Sequence, residues 1–154
     1  MELFLTLLTI IMTAATPLLL AALGETVTER SGVLNLGVEG MMIMGAVGGF
    51  GGALLSGSPW VGVVVGILAG MFMSVLFGIL TLTLLANQVA TGLALTLLGL
   101  GLSALMGESF VGQPGVKLPT IAGIDPLIPF SIFMAGAVSW LLFRTKAGLV
   151  IRAV

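Results

Sequence analysis

The sequence has no cysteine, no histidine and no tyrosine. Disulfides, Cys/His metal sites, thiol nucleophiles and imidazole general bases are therefore excluded. Asp125 is the single aspartate, and no Gly-x-Ser-x-Gly stretch is present, so neither a two-aspartate site nor a serine/histidine pair can be assembled. A nucleotide-binding loop needs Gly-x-x-x-x-Gly-Lys-Ser/Thr; the two lysines, Lys117 and Lys146, are followed by Leu118 and Ala147. The chain is expected to hold no metal or cofactor of its own and to catalyse no reaction.

Charge is scarce too. Only 7% of the 154 residues are charged and 58% are hydrophobic, against roughly a quarter charged in an ordinary soluble domain. No water-facing surface can be built from that composition. The net charge of −1 points to no nucleic acid and no polybasic lipid anchor. Between Gly40 and Gly107 there is no ionisable side chain at all. As one helix that stretch would be about 100 Å long, more than three bilayer cores, so the chain must cross a membrane several times.

Breaks in the apolar runs predict an all-α membrane domain over 1–154 with about five spans, approximately 3–23, 36–55, 60–85, 93–106 and 127–143. The polar stretch Gly24–Gly32 closes the first, Ser56-Gly57-Ser58-Pro59 separates the second from the third, and Ala86–Gly92 separates the third from the fourth. The fourth is short, which suits a tilted or re-entrant segment. The loop 107–126 carries three of the six prolines. Leu3–Gly24 has no preceding Lys or Arg and exceeds the 7–15 residues of a signal-peptide core, so it reads as a retained helix rather than a cleaved signal. If the spans alternate, Arg30, Arg144, Lys146 and Arg152 share one side and Lys117 lies on the other. The positive-inside rule then places the N-terminus outside and the segment after Arg144 in the cytoplasm.

Glycine is abundant, with 23 residues, and regularly spaced. Gly62, Gly66, Gly70, Ser74 and Gly78 recur every four positions in the third span; Gly45, Gly49 and Ala53 do so in the second, and Gly99, Ser103 and Gly107 in the fourth. In lipid, small residues let helix backbones approach closely. The stripes fit packing within a Gly-rich bundle, or surfaces that slide during transport.

Few polar residues interrupt the spans. Glu39 lies at or just inside the membrane edge, where a charge needs partners or water. It suits a first-turn glutamate facing its helix dipole. Equally, Asn35 and Glu39, four apart and on one face if both are helical, would line a polar path or brace a broken helix. Asn87 and Gln88 form a second polar break, either a discontinuous helix that lines a cavity or a plain cytoplasmic turn. Glu25, Glu29 and Arg30 read as a solvated juxtamembrane turn.

Thr16–Glu25, Glu29-Arg30-Ser31-Gly32-Val33-Leu34-Asn35-Leu36-Gly37-Val38-Glu39-Gly40-Met41-Met42, Asn87–Leu95, Gly112–Pro119 and Arg144–Val154 together resemble the permease subunits of bacterial ABC importers for nucleosides and simple sugars, in the branched-chain amino acid and ribose permease superfamily. The resemblance spans nearly the whole chain. It implies the N-terminal part of a type II importer permease in the inner membrane, working by alternating access. It also implies a second permease in a heterodimer, a cytoplasmic ATP-binding subunit that consumes the ATP, and an extracellular solute-binding lipoprotein. On that basis Asn35, Glu39, Asn87 and Gln88 are the candidates for the translocation path, with Arg144, Lys146 and Arg152 beside the ATPase. The family's chains are longer and continue into a coupling helix beyond the point matching Val154, which implies a fragment or split half. The family also often has asparagine where Thr96 stands. A passive pore and a structural membrane subunit remain as alternatives, although the Asn-Pro-Ala pair of glycerol facilitators is absent.

Overall fold

The structure, a computed structural model, describes residues 2–120 and 125–153. Residues 121–124 of the Pro-rich loop and Val154 lie outside the described residues. The described residues form helices α1 (Glu2–Arg30), α2 (Val38–Ser56), α3 (Pro59–Gly78), a π-helical turn (Ile79–Thr83), α4 (Gln88–Glu108), α5 (Leu127–Arg144) and α6 (Lys146–Arg152). Five of these segments, with α3 and its π turn counted as one, are long and apolar enough to cross a membrane. Large apolar side chains on them stay open to the surroundings: Phe72 is 67% exposed, Leu97 70% and Trp140 64%. Such surface is compatible with lipid and not with water, so the chain is a multi-pass α-helical membrane protein.

The helices group into two compact units, one with α1, α5 and α6 and one spanning Leu34–Lys117. In the first, α1 packs mainly on α5, and α6 folds back against α5. Helix α1 is longer than the apolar run that announces it, because the polar stretch after Leu23 stays helical. The hydroxyls of Thr26 and Thr28 donate to the carbonyls of Ala22 (2.7 Å) and Glu25 (2.9 Å), so their polarity is absorbed by the helix. The helix stops at Gly32, whose φ of 78° favours a residue without Cβ. Val33 then donates to the Thr28 carbonyl and Gly32 to that of Glu29, at 3.1 and 3.0 Å, a Schellman ending. At the other end of the chain, Asp125 Oδ1 accepts from the Leu127 amide at 2.9 Å and starts α5. Thr145 links α5 to α6 by donating its hydroxyl to the Leu141 carbonyl (2.6 Å) and accepting from the Gly148 amide (3.1 Å).

In the second unit, α2 and α3 form an antiparallel hairpin turned at Gly57, which has φ 66°, followed by Pro59 in the first turn of α3. The hairpin is held by small residues. A Cβ on Gly62 would lie 2.6 Å from both the Ala53 Cβ and the Gly49 carbonyl oxygen, and one on Gly66 would lie 2.9 Å from the Gly45 oxygen. Gly70 is more loosely placed, 3.8 Å from the Met41 oxygen by the same measure, and nothing lies within 4 Å of Gly78. The stripe on α3 therefore approaches α2 most closely at Gly62 and Gly66. Met73 and Phe77 from α3, Met44 from α2 and Leu95 from α4 fill the core of the unit. Near the end of α4, Phe110 stands edge-on to Phe50 with ring centroids 5.8 Å apart and closes over Gly51.

Helix α4 begins five residues earlier than the apolar run suggests. Asn87 is its N-cap, with Oδ1 accepting from the Ala90 amide at 3.0 Å. The expected break over 86–92 shrinks to the few residues before Gln88, and α4 reaches 21 residues, a full crossing rather than a short one. Ahead of that break, α3 loosens into the π turn. Leu84 bonds the carbonyl of Ile79 (3.0 Å) and Ala86 that of Leu80 (3.0 Å), with Leu85 between them at φ 54°.

Candidate functional site

The polar residues of the second unit gather where α2 and α4 begin. Residues 34–37, which lead into α2, are not helical. In lipid, such backbone persists only where protein satisfies its N–H and C=O groups. Asn35 does part of this itself. It is buried, and its Oδ1 accepts from the Gly37 amide two residues on at 2.9 Å, an Asx turn, while Nδ2 points to the Met41 sulfur at 3.6 Å.

Helix α4 supplies the rest. Gln88 Oε1 accepts from the Leu34 amide at 2.7 Å, and Thr96 Oγ1 donates to the Leu36 carbonyl at 3.0 Å. Between these two bonds Gly92 presses directly on the segment: a Cβ there would lie 2.8 Å from the Leu36 nitrogen and 3.0 Å from that of Gly37. One helical turn further, Gly99 meets Gly40 backbone to backbone, with 2.7 Å from a Gly99 Cβ to the Gly40 Cα. Gln88, Gly92, Thr96 and Gly99 thus form one face of α4, and all four face the start of α2. The two helices run parallel, beginning at the same end of the unit.

Of the four residues expected on a polar path, Asn35 and Gln88 both bond the backbone of the stretch that leads into α2, while Glu39 and Asn87 stand exposed. Asn35 and Glu39 do not share a helical face, because Asn35 precedes α2 and is turned inward by its Asx turn, whereas Glu39 is exposed in the first turn. Gln88 is engaged with the Leu34 backbone, and Asn87 caps α4 while remaining exposed. Arg144 and Lys146 flank the α5–α6 turn and Arg152 ends α6; Arg152 Nε donates to the Gly148 carbonyl at 3.3 Å and its guanidinium sits 5.2 Å from the centre of the Phe143 ring. Among the described residues no three acidic side chains gather to hold a metal ion.

Two features escaped the sequence reading. Thr96 is a bridging donor, and the pattern Gln88, Gly92, Thr96, at four-residue spacing, was the signal that would have revealed it. The second is an open groove of about 360 Å³ lined by Leu76, Leu80, Ala90, Thr91, Ala94, Leu95 and Leu98, between the π-turn end of α3 and the first half of α4. Thr91 brings its only side-chain polar group, and π turns occur often at functional positions.

Comparison with known proteins agrees with this architecture. Residues 7–154 match the family model described as branched-chain amino acid transport system / permease component. A putative glucose ABC transporter permease protein of Haloferax volcanii is 42% identical over 92% of this chain and 49% of its own length. A guanosine ABC transporter permease protein of Bacillus subtilis is 31% identical over 91% of this chain and 52% of its own. A nucleoside ABC transporter permease protein of Lactococcus lactis is 26% identical, again over 91% of this chain and 52% of its own. The chain therefore spans about half the length of the curated relatives it matches. No solved structure gives a significant match. With the family model covering all but the first six residues, the chain belongs to the branched-chain amino acid transport system permease family.

Proposed function

We propose that the chain forms part of the translocation path of an ATP-driven importer for nucleosides or simple sugars. The match to a permease family over residues 7–154 carries this reading, and the naming of the relatives for glucose, guanosine and nucleoside transport supports the solute classes. The geometry is consistent with it: a non-helical stretch braced inside an otherwise apolar helix unit is the kind of element that transporters use near solutes.

In this reading ATP is hydrolysed by a separate cytoplasmic subunit, a solute-binding lipoprotein delivers cargo from outside, and a second, related permease completes the membrane part. The membrane is the cell membrane. Arg30, Arg144, Lys146 and Arg152 mark its cytoplasmic face and Lys117 the outer one. Arg144 and Lys146 beside the α5–α6 turn and Arg152 at the end of α6 are the candidates for the surface beside the ATPase. Glu39 and Asn87, exposed at the starts of α2 and α4, are the candidates that meet the passing solute or its water; Asn35 and Gln88 contribute by holding the backbone.

The test is uptake of labelled guanosine and glucose by proteoliposomes carrying the complete permease with its ATPase and lipoprotein. ATP-dependent accumulation of either solute supports the proposal, and Glu39→Ala is expected to lower it without loss of membrane insertion. Solute flow that ignores ATP would replace the importer with a passive pore.

A further inference from the structure

Two side chains of α4 are spent on backbone groups that lie 54 and 60 residues earlier in the chain. The Leu34 amide and the Leu36 carbonyl belong to a stretch that makes no helical ladder, so each needs an outside partner. Gln88 can serve the amide only through its oxygen, and Thr96 serves the carbonyl only through its hydroxyl proton. The Gly92 backbone contact lies between them. Three anchor points, each one helical turn from the next, fix depth, rotation and tilt of the segment together. Two bonds from one rigid helix face define a register in a way that one bond does not.

We propose that Gln88 and Thr96 are positioning residues for transport: through the Leu34 amide and the Leu36 carbonyl they lock the start of α2, with Glu39 on it, to α4, so that the two helix starts move as one piece. Neither residue acts on the solute. The role in transport rests on the importer reading above; the lock itself does not.

The experiment separates the two. Hydrogen–deuterium exchange of the complete permease in detergent micelles reads the lock directly. Gln88→Leu keeps the side-chain size and removes the acceptor, and is expected to speed exchange of the Leu34 amide about tenfold or more, with α3 amides unchanged. Gln88→Glu keeps an acceptor oxygen and is expected to restore slow exchange. Thr96→Val, isosteric but without the hydroxyl, is expected to loosen the Gly37 amide, and Thr96→Ser to restore it.

Uptake by the assembled complex is then measured on the same four variants. Gln88→Leu and Thr96→Val are expected to lower the maximal rate several-fold with the order of preference among nucleosides and sugars unchanged, and the two conservative variants to recover it. Leu34 exchange unaffected by Gln88→Leu would overturn the lock. Faster exchange with undiminished uptake, or an altered solute preference, would overturn the positioning role. A complex that transports nothing even with the natural residues would sink the importer reading and leave the exchange result standing.

Discussion

Gly40 and Gly99 lie so close that a Cβ on Gly99 would stand 2.7 Å from the Gly40 Cα and 2.7 Å from its carbonyl oxygen. No side chain separates α2 from α4 at this crossing. Since lipid gives the helices no hydrophobic reason to associate, contacts of this kind hold the unit together. Gly99→Ala is therefore expected to push the helices apart and destabilise the protein by about 1–3 kcal/mol, as overpacking does. Gly101 offers a matched control two residues along, with nothing within 4 Å of its would-be Cβ. Gly101→Ala should be neutral or stabilise by about 0.5–1 kcal/mol through helix propensity. Thermal unfolding of both variants in detergent micelles checks the contrast; equal losses would mean that the crossing is not close-packed in solution.

The cap on α4 makes a second expectation. Asn87 Oδ1 accepts from the Ala90 amide at 3.0 Å, and the side chain is otherwise exposed. Asn87→Ala is expected to cost about 1 kcal/mol by orphaning that amide, whereas Asn87→Ser and Asn87→Asp, which retain an acceptor, should cost much less. Because Gln88 follows directly, fraying of this turn should also quicken exchange of the Leu34 amide. Exchange measured across the three variants ranks them, and the alanine variant should stand apart.

The gap between sequence and structure has a physical pattern. Composition and apolar runs were enough to reveal an all-α membrane protein with five crossing segments, because lipid leaves so few alternatives. Boundaries were missed where polar side chains serve the helix itself. Thr26 and Thr28 bond back into α1, and Asn87 and Gln88 open α4, so counting them as loop shortened both helices. The glycine stripe on α3 was legible as spacing but not as depth. Gly62 and Gly66 face Gly49, Ala53 and Gly45, while a Cβ on Gly78 would meet no described atom within 4 Å. The brace was the hardest to foresee. Asn35 and Glu39 are four apart, but whether that means one face depends on a helix that starts only at Val38. The π turn gave no local sign either, since Leu84-Leu85 carries no glycine to announce a left-handed residue.

Leu85 supplies a third expectation. At φ 54° it is the one described non-glycine residue on the left-handed side, and it is 83% exposed, so little packing holds it there. A left-handed conformation costs an ordinary side chain about 1–2 kcal/mol. Leu85→Gly is expected to raise stability by up to about 1 kcal/mol, after allowing for glycine's greater freedom in the unfolded chain. Leu85→Val, with a branched Cβ that tolerates this region least, should lower it. Unfolding midpoints for the pair give the sign, and a stabilising valine would show that residue 85 leaves this conformation in solution.

The α5–α6 turn yields the last. Gly148 sits under the end of α5, and a Cβ there would lie 2.6 Å from the Leu142 carbonyl oxygen, an atom of the backbone that cannot swing aside. Two further contacts depend on that approach: the Thr145 hydroxyl between the Leu141 carbonyl and the Gly148 amide, and the Arg152 guanidinium against the Phe143 ring. Gly148→Ala is therefore expected to lift α6 off α5 as a unit. Thr145→Val should only weaken its first turn, by about 1 kcal/mol. Trypsin reads the difference, because Arg144, Lys146 and Arg152 are the nearby cleavage sites and a helix must open before it is cut. Cleavage there should be fastest in Gly148→Ala, intermediate in Thr145→Val and slowest in the unchanged protein, while the α2–α4 crossing keeps its exchange protection in all three. Equal rates throughout would mean that α6 does not rest on α5 in the membrane-embedded molecule.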